Sequence, residues 1–383
     1  MRKRKVPLFK PEVDLGVLKR IERVFESGRL VQGPVVCEFE KRFSEFNEVK
    51  NSVAVNSGTA ALQVSLAALG LRPGQEVITT PLTFIATANS ILSLGGIPIF
   101  ADVDPRTYNI DPERVENAIT SRTRGIIPVH LFGLPCEMDM IMEVARRHDL
   151  FVLEDAAQAI GAKYHGKMVG RFGDATAYSF YATKNLTTGE GGMIVTNNPE
   201  IAEMARLIRD QGQKEKYHHP ILGFNFRMTE ITASIGLEQL EIIGGLNSKR
   251  RSNARFLDSI LSGKPGIIPP YVPEGVEHVY HIYAAKIDEM KLECNREKIL
   301  SILNREGIEA QSAYPLPIYK QPLYRNLKDP DRNLLGGIID FPSYADVSCP
   351  ITEELMKTLF LLPVRPGLTE DDLDAIQLAL GKI

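Results

Sequence analysis

The sequence predicts an α/β protein with a large N-terminal domain over residues 1–247, built on a predominantly parallel mixed sheet. A smaller α+β domain follows over residues 248–383. Three observations carry this reading. Between about residues 50 and 200, short β-branched runs alternate with helical stretches. The runs are apolar throughout rather than at every second position, as strands covered by helices on both faces require. Past about residue 247 the texture changes to Pro-rich loops and short amphipathic pieces, notably 263–275 and 314–322.

The elements follow in chain order. Val53-Ala54-Val55 reads as a strand, Gly58 as a turn and 59–69 as a helix. Strands are predicted at 76–79 and 97–100, then a helix over 112–119 and a strand over 125–129. A helix over 138–148 precedes the strand Phe151-Val152-Leu153, and two more strands fall at 176–180 and 193–196. Residues 229–262 read as one long helical stretch in which Gly244-Gly245 marks a break or hinge.

Composition narrows the function classes. The 383 residues carry 45 Lys plus Arg against 48 Asp plus Glu, a net charge of −3, with 44% hydrophobic and 24% charged residues. That excludes intrinsic disorder, collagen-like sequence and a disulfide-stapled miniprotein. Near-balanced charge gives no general attraction to nucleic acid or to an anionic membrane. No run approaches the ~20 apolar residues a membrane helix needs. The basic stretch Arg2 to Lys5 lacks the apolar core of a signal peptide and reads as a solvated tail. Cys37, Cys136, Cys294 and Cys349 are scattered without a C-x-x-C pair, so neither metal nor disulfide roles are expected and a reducing cytoplasm is. His218-His219 reads as part of a loop rather than a metal site.

Three pieces carry chemistry. Lys184 lies between a strand end and the turn Gly189-Glu190-Gly191-Gly192. A lysine there, partly desolvated at a sheet edge, has a lowered pKa and can form a Schiff base, although most lysines are simply exposed. Asp155 ends an apolar strand, where it serves either as a helix N-cap or as the partner of a protonated pyridine nitrogen. Ser57-Gly58-Thr59 is a strand-to-helix turn whose free N–H groups seat a phosphate, or else an ordinary Ser-capped helix. Neither G-x-G-x-x-G nor G-x-x-x-x-G-K-[ST] occurs. Phosphate seat, pyridine partner and lysine in this order make one pocket for pyridoxal 5'-phosphate.

The chain also resembles the DegT/DnrJ/EryC1/StrS sugar aminotransferases, which are fold type I pyridoxal-phosphate enzymes. The matching stretches are NSGTAAL (56–62), TTPLTFIATANSI (79–91), FADVDP (100–105), PVHLFGLPCEMD (128–139), EDAAQAIGAKYHG (154–166), FGDATAYSFYATKNLTTGEGG (172–192), GFNFRMTEITASIGLEQL (223–240) and LPVRPGLTEDD (362–372). The resemblance implies that Lys184 forms the Schiff base and then shuttles a proton between the substrate's Cα and the cofactor's C4′. It places Asp155 on the pyridinium nitrogen, Gln158 near the phenolic oxygen, and Gly58, Thr59 and Ser179 on the phosphate, beside Ser57 of the same turn. Phe84 would stack on the ring, and Asn225 would reach the phosphate in the neighbouring subunit of a homodimer. Arg227, Tyr314 and Tyr319 are candidate substrate contacts.

The implied reaction moves an amino group from an amino acid, glutamate by resemblance, to a keto-sugar nucleotide in the cytoplasm. Sugar-dehydrating relatives carry a histidine where this chain has Lys184, which favours transamination. Sugar dehydration or deoxygenation on the same scaffold, and a regulatory protein, are the alternative readings. One departure concerns the small domain, where relatives show Tyr-x-Pro-Leu-His and this chain reads Tyr314-Pro315-Leu316-Pro317.

Overall fold

The computed structural model describes residues 4–292, 294–333 and 335–383. Helices α1 (Val17–Ser27) and α2 (Pro34–Asn47) lead into strand β1 (Asn51–Val55), helix α3 (Gly58–Ala68) and strand β2 (Glu76–Thr79). Next come α4 (Ala86–Ser93), β3 (Ile97–Phe100), α5 (Pro112–Asn117), β4 (Thr123–Ile127), α6 (Met138–Arg147) and β5 (Phe151–Asp155). A short ribbon of β6 (Lys163–Tyr164) and β7 (Lys167–Met168) precedes β8 (Ala175–Ser179) and β9 (Gly192–Thr196). Helices α7 (Pro199–Arg209) and α8 (Glu230–Leu261) follow.

The seven-stranded sheet runs β1-β9-β8-β5-β4-β2-β3. Its central pairings are parallel, and only β9 runs against its two neighbours. The apolar runs have the predicted cause. Val53, Val55, Ala177 and Ile194 pack with Ala61 and Leu62 of α3. Their neighbours Ala54, Tyr178, Met193 and Val195 pack with Phe39 and Phe43 of α2 and with Ala233 and Leu237 of α8. Successive residues of a strand face opposite ways, so a strand buried on both sides must be apolar at every position.

The second sheet has the order β10-β12-β14-β13, antiparallel throughout. Its strands are β10 (Ile267–Ile268), β12 (Tyr283–Ile287), β13 (Gln311–Ser312) and β14 (Leu359–Leu362), while β11 (Val276–Glu277) joins the β6–β7 ribbon. Helices α9 (Arg296–Arg305), α10 (Pro322–Arg325), α11 (Pro350–Thr358) and α12 (Glu370–Leu380) accompany it.

Two expectations are corrected. Gly244-Gly245 does not break α8, which runs unbroken for 32 residues. A Cβ at either glycine would meet nothing within 4 Å, so both face open space. The helix is held from its other side by buried Gln239, Ile243, Asn247 and Arg250, which outweigh a cost of about 1 kcal/mol per glycine. The basic tail is not free at Arg4, whose guanidinium bonds Asp372 at 2.6 Å and Asp371 at 2.8 Å. Arg2 and Lys3 lie outside the described residues. Just beyond, Val6 packs with Leu257, Tyr283 and Ile308, so the N-terminal segment is bound to the C-terminal elements. Among the described residues no helix is long and apolar enough to cross a membrane.

Candidate active site

The strand ends β1, β5 and β8 open onto one cavity of about 500 Å³. Its wall holds Ser57, Gly58 and Thr59 after β1, Asp155 at the end of β5, Ser179 at the end of β8, and Lys184 a turn later. In open α/β sheets this edge is where ligands collect.

One end is a close-packed backbone cradle. Ser57 caps α3, its Oγ accepting from the Ala60 N–H at 3.1 Å. A Cβ on Gly58 would lie 2.7 Å from Ser179 Cβ, so only glycine lets the turn approach that strand. A helix N-terminus with free N–H groups and adjoining Ser and Thr hydroxyls suits a phosphate.

Asp155 stands at another part of the wall, 4% exposed. Thr87 donates its hydroxyl to Asp155 Oδ2 at 2.8 Å, and the Ala157 N–H donates to Oδ1 at 3.1 Å. Burial pushes the Asp155 pKa above the usual carboxylate range, while Thr87, Ala157 and Lys184 pull against it. The Lys184 amine is pushed down to about 8 by burial, with Asp155 opposing. Each group therefore sits closer to neutrality than in water. A protonated pyridine nitrogen would supply Asp155 with a further cationic partner.

The adjacent carboxylate has another task. Glu154 points to the opposite sheet face, where it accepts from the N–H groups of Gly170, Phe172 and Gly173 and from the Thr176 hydroxyl. The Cys136 N–H donates to His130 Nδ1 at 3.0 Å, so the ring proton resides on Nε2 and is given to Glu154 at 3.1 Å. Burial raises the Glu154 pKa, but His130 and the backbone donors win and it lies below the usual value. Glu154 thus fixes the loop after Gly170 behind the cavity.

Gln158 also lines the cavity. Its Oε1 accepts from the Phe132 N–H at 2.6 Å, and its Nε2 donates to the Tyr314 hydroxyl at 3.3 Å. Burial raises the Tyr314 phenol to about 12, so it stays protonated at neutral pH. Phe84, 62% exposed, forms part of the wall.

Three candidates stand outside this wall. Tyr319, expected as a substrate contact, is 1% exposed and belongs to an apolar cluster with Tyr324, Phe341 and Tyr344. Its hydroxyl donates to Glu353 at 2.7 Å and accepts from the Cys349 N–H at 3.0 Å, so packing and these bonds hold it away from the cavity. Arg227 pairs with Asp210. Asn225 is exposed on the segment that bridges to Asp210. Residues not anticipated also line the cavity, among them Thr87 and the buried His281. Thr87 lay within the matching stretch 79–91, but a threonine in the first turn of a helix carries no chemical signature of its own.

Comparison with known proteins shows the family. The profile of the DegT/DnrJ/EryC1/StrS aminotransferase family matches residues 12–380. The spore coat polysaccharide biosynthesis protein SpsC of Bacillus subtilis (strain 168) is 37% identical, over 97% of this chain and 95% of its own. The dTDP-3-amino-3,4,6-trideoxy-alpha-D-glucose transaminase of Streptomyces venezuelae is 36% identical, over 91% of this chain and 86% of its own. Among solved structures, NtdA from Bacillus subtilis with bound cofactor PMP superposes with a TM-score of 0.87 at 31% identity, covering 99% of this chain and 85% of that one. With the profile spanning nearly its whole length, this chain belongs to the DegT/DnrJ/EryC1/StrS aminotransferase family.

Proposed function

We infer that this chain is a pyridoxal-phosphate-dependent aminotransferase acting on a keto-sugar nucleotide, with glutamate as amino donor. The observation that carries the reading is a single cavity walled by Lys184, Asp155 and the Gly58–Ser179 cradle. The donor set fits the cofactor: N–H groups and hydroxyls for a phosphate, a buried carboxylate for a ring nitrogen, and an amine of lowered pKa for an aldehyde. A relative named as a sugar-nucleotide transaminase and a solved neighbour with PMP bound support the same assignment. Bound here, pyridoxal phosphate supplies an aldehyde carbon and a ring that accepts the electron pair released at an amino acid's Cα.

The chain's own groups do the rest. Ser57, Thr59, Ser179 and the first N–H groups of α3 hold the phosphate and fix the ring's position. Asp155, held by Thr87 and Ala157, would keep a proton on the ring nitrogen. Lys184 would be the nucleophile toward that aldehyde in its neutral form, which is half populated near pH 8. Once free, the Lys184 amine would take the proton from the donor's Cα and deliver it to the cofactor carbon on the other side of the nitrogen, as general base and then general acid. With the keto sugar as acceptor, Lys184 would make the same proton transfers in the opposite order. Gln158 and Tyr314 offer a fixed pair of polar groups beside the reacting region.

The same proposal includes a homodimer in which Asn225, exposed on its own chain, completes the phosphate site of the second copy. It also places the enzyme in a reducing cytoplasm, which its four free cysteines suit. The test is a panel of keto-sugar nucleotides supplied with glutamate and analysed by mass spectrometry. An amino-sugar nucleotide formed mole for mole with 2-oxoglutarate is the expected result. Turnover of sugar without stoichiometric 2-oxoglutarate would favour dehydration chemistry instead.

A further inference from the structure

Behind Lys184 lies a second, far smaller chamber of about 10 Å³. Residues 9–12 of the N-terminal segment close one side, and Asn185, Arg250 and Arg365 stand on the others. Thr183 and Lys184 border both this chamber and the larger cavity. Four fully buried polar atoms on its residues have no hydrogen-bond partner among the described residues: Glu12 Oε1, Asn185 Oδ1, Arg250 Nε and Arg365 Nε. Asn185, Arg250 and Arg365 are each more than nine-tenths buried.

Other atoms of these side chains are engaged, and the chemistry of each group settles what the four orphans are. Asn185 Nδ2 donates to Asn247 Oδ1 at 2.9 Å and to the Val279 carbonyl at 3.0 Å. Both its hydrogens are thereby used, so the free atom is an acceptor. Arg250 Nη1 donates to the Tyr280 and His281 carbonyls at 3.3 Å each. Arg365 Nη2 donates to Asp372 at 3.3 Å, while its Nη1 lies 3.5 Å from Glu12 Oε1 in an ion pair.

The chamber thus has two N–H donors and two oxygen acceptors. An anion would satisfy the donors alone and leave two oxygens facing its charge. A metal cation would satisfy the oxygens alone and be repelled by two guanidinium groups. A water molecule gives two hydrogen bonds and receives two, and the space matches what one water requires. Buried polar atoms left unpaired are costly, so one water bonded to all four would stabilise these residues together.

We propose that one ordered water occupies this chamber, bridging Glu12, Asn185, Arg250 and Arg365. It joins the N-terminal segment, α8 and the loop after β14 to the residue next to Lys184. A crystal structure of the holoenzyme at near-atomic resolution tests this. The expected result is a single spherical peak within hydrogen-bonding distance of all four atoms, with no anomalous signal there after a bromide soak. No peak, or a bromide peak, would overturn it. Oxygen-17 magnetic relaxation dispersion gives a second readout in solution. Glu12→Leu, which removes the acceptor, is expected to show one long-lived water fewer than wild type, while Glu12→Gln keeps the wild-type number. Equal numbers in all three proteins would contradict the bridge, and the wild-type crystal decides if Glu12→Leu fails to fold.

Discussion

Lys184 and Asp155 are driven toward neutrality by the same burial, and this gives the residue scale its pH signature. The folded-state lysine pKa of about 8 lies below its ordinary value of 10.5, so the amine becomes nucleophilic as pH rises through 8. The rate at which cofactor-free enzyme condenses with pyridoxal phosphate is therefore expected to rise about tenfold between pH 7 and pH 9 and then to level off. Stopped-flow absorbance follows it directly, and a profile rising only near pH 10 would contradict the desolvated site. The linkage to stability has a definite sign. Between pH 8 and 10.5 the unfolded lysine binds the extra proton, so this group's contribution to stability grows as pH rises across that window. Thr87 is the second residue to test. Thr87→Val removes a donor to a buried carboxylate, worth about 1.5–3 kcal/mol, and is expected to slow the glutamate half-reaction by roughly ten- to hundredfold. Thr87→Ser retains the hydroxyl and should stay near wild type, whereas equal rates for both variants would remove Thr87 from the account.

At the scale of elements, the chemistry is set by where strands stop. Asp155 and Ser179 are the last residues of β5 and β8, and the α3 cap follows β1 directly. Gly58→Ala is expected to weaken cofactor binding at least tenfold, because the new methyl group meets Ser179 Cβ at 2.7 Å. Fluorescence titration of the cofactor-free protein measures this, and unchanged affinity would show that the turn is not the phosphate seat. Much of this was legible in sequence because strands buried on both faces leave apolar runs, and polar residues just beyond them stand out. Lys184, Asp155 and Gly58 were legible for that reason. Thr87 and His281 were not, since each reaches the cavity by tertiary packing that no local pattern records. Tyr319 resembles a ligand contact in sequence, yet a phenol is equally suited to end an apolar cluster with two hydrogen bonds. The two glycines of α8 misled because propensity is a small local term that flanking buried side chains override.

The molecule as a whole joins two sheets through α8 and ties Arg4, the first described residue, back to the last helix and its capping box. Asn225 is exposed on its own chain and absent from its own cavity, so its proposed role needs a second copy. Mixing Lys184→Ala with Asn225→Ala subunits tests this. Half the dimers are then mixed and each holds one intact site, so roughly a quarter of wild-type activity is expected. Activity no greater than that of the two separate variants would place Asn225 outside the site. The central claim rests on the amine itself. Borohydride reduction of the yellow holoenzyme, followed by peptide mapping, is expected to leave the reduced cofactor on the peptide containing Lys184. Label on any other lysine, or on none, would contradict the account.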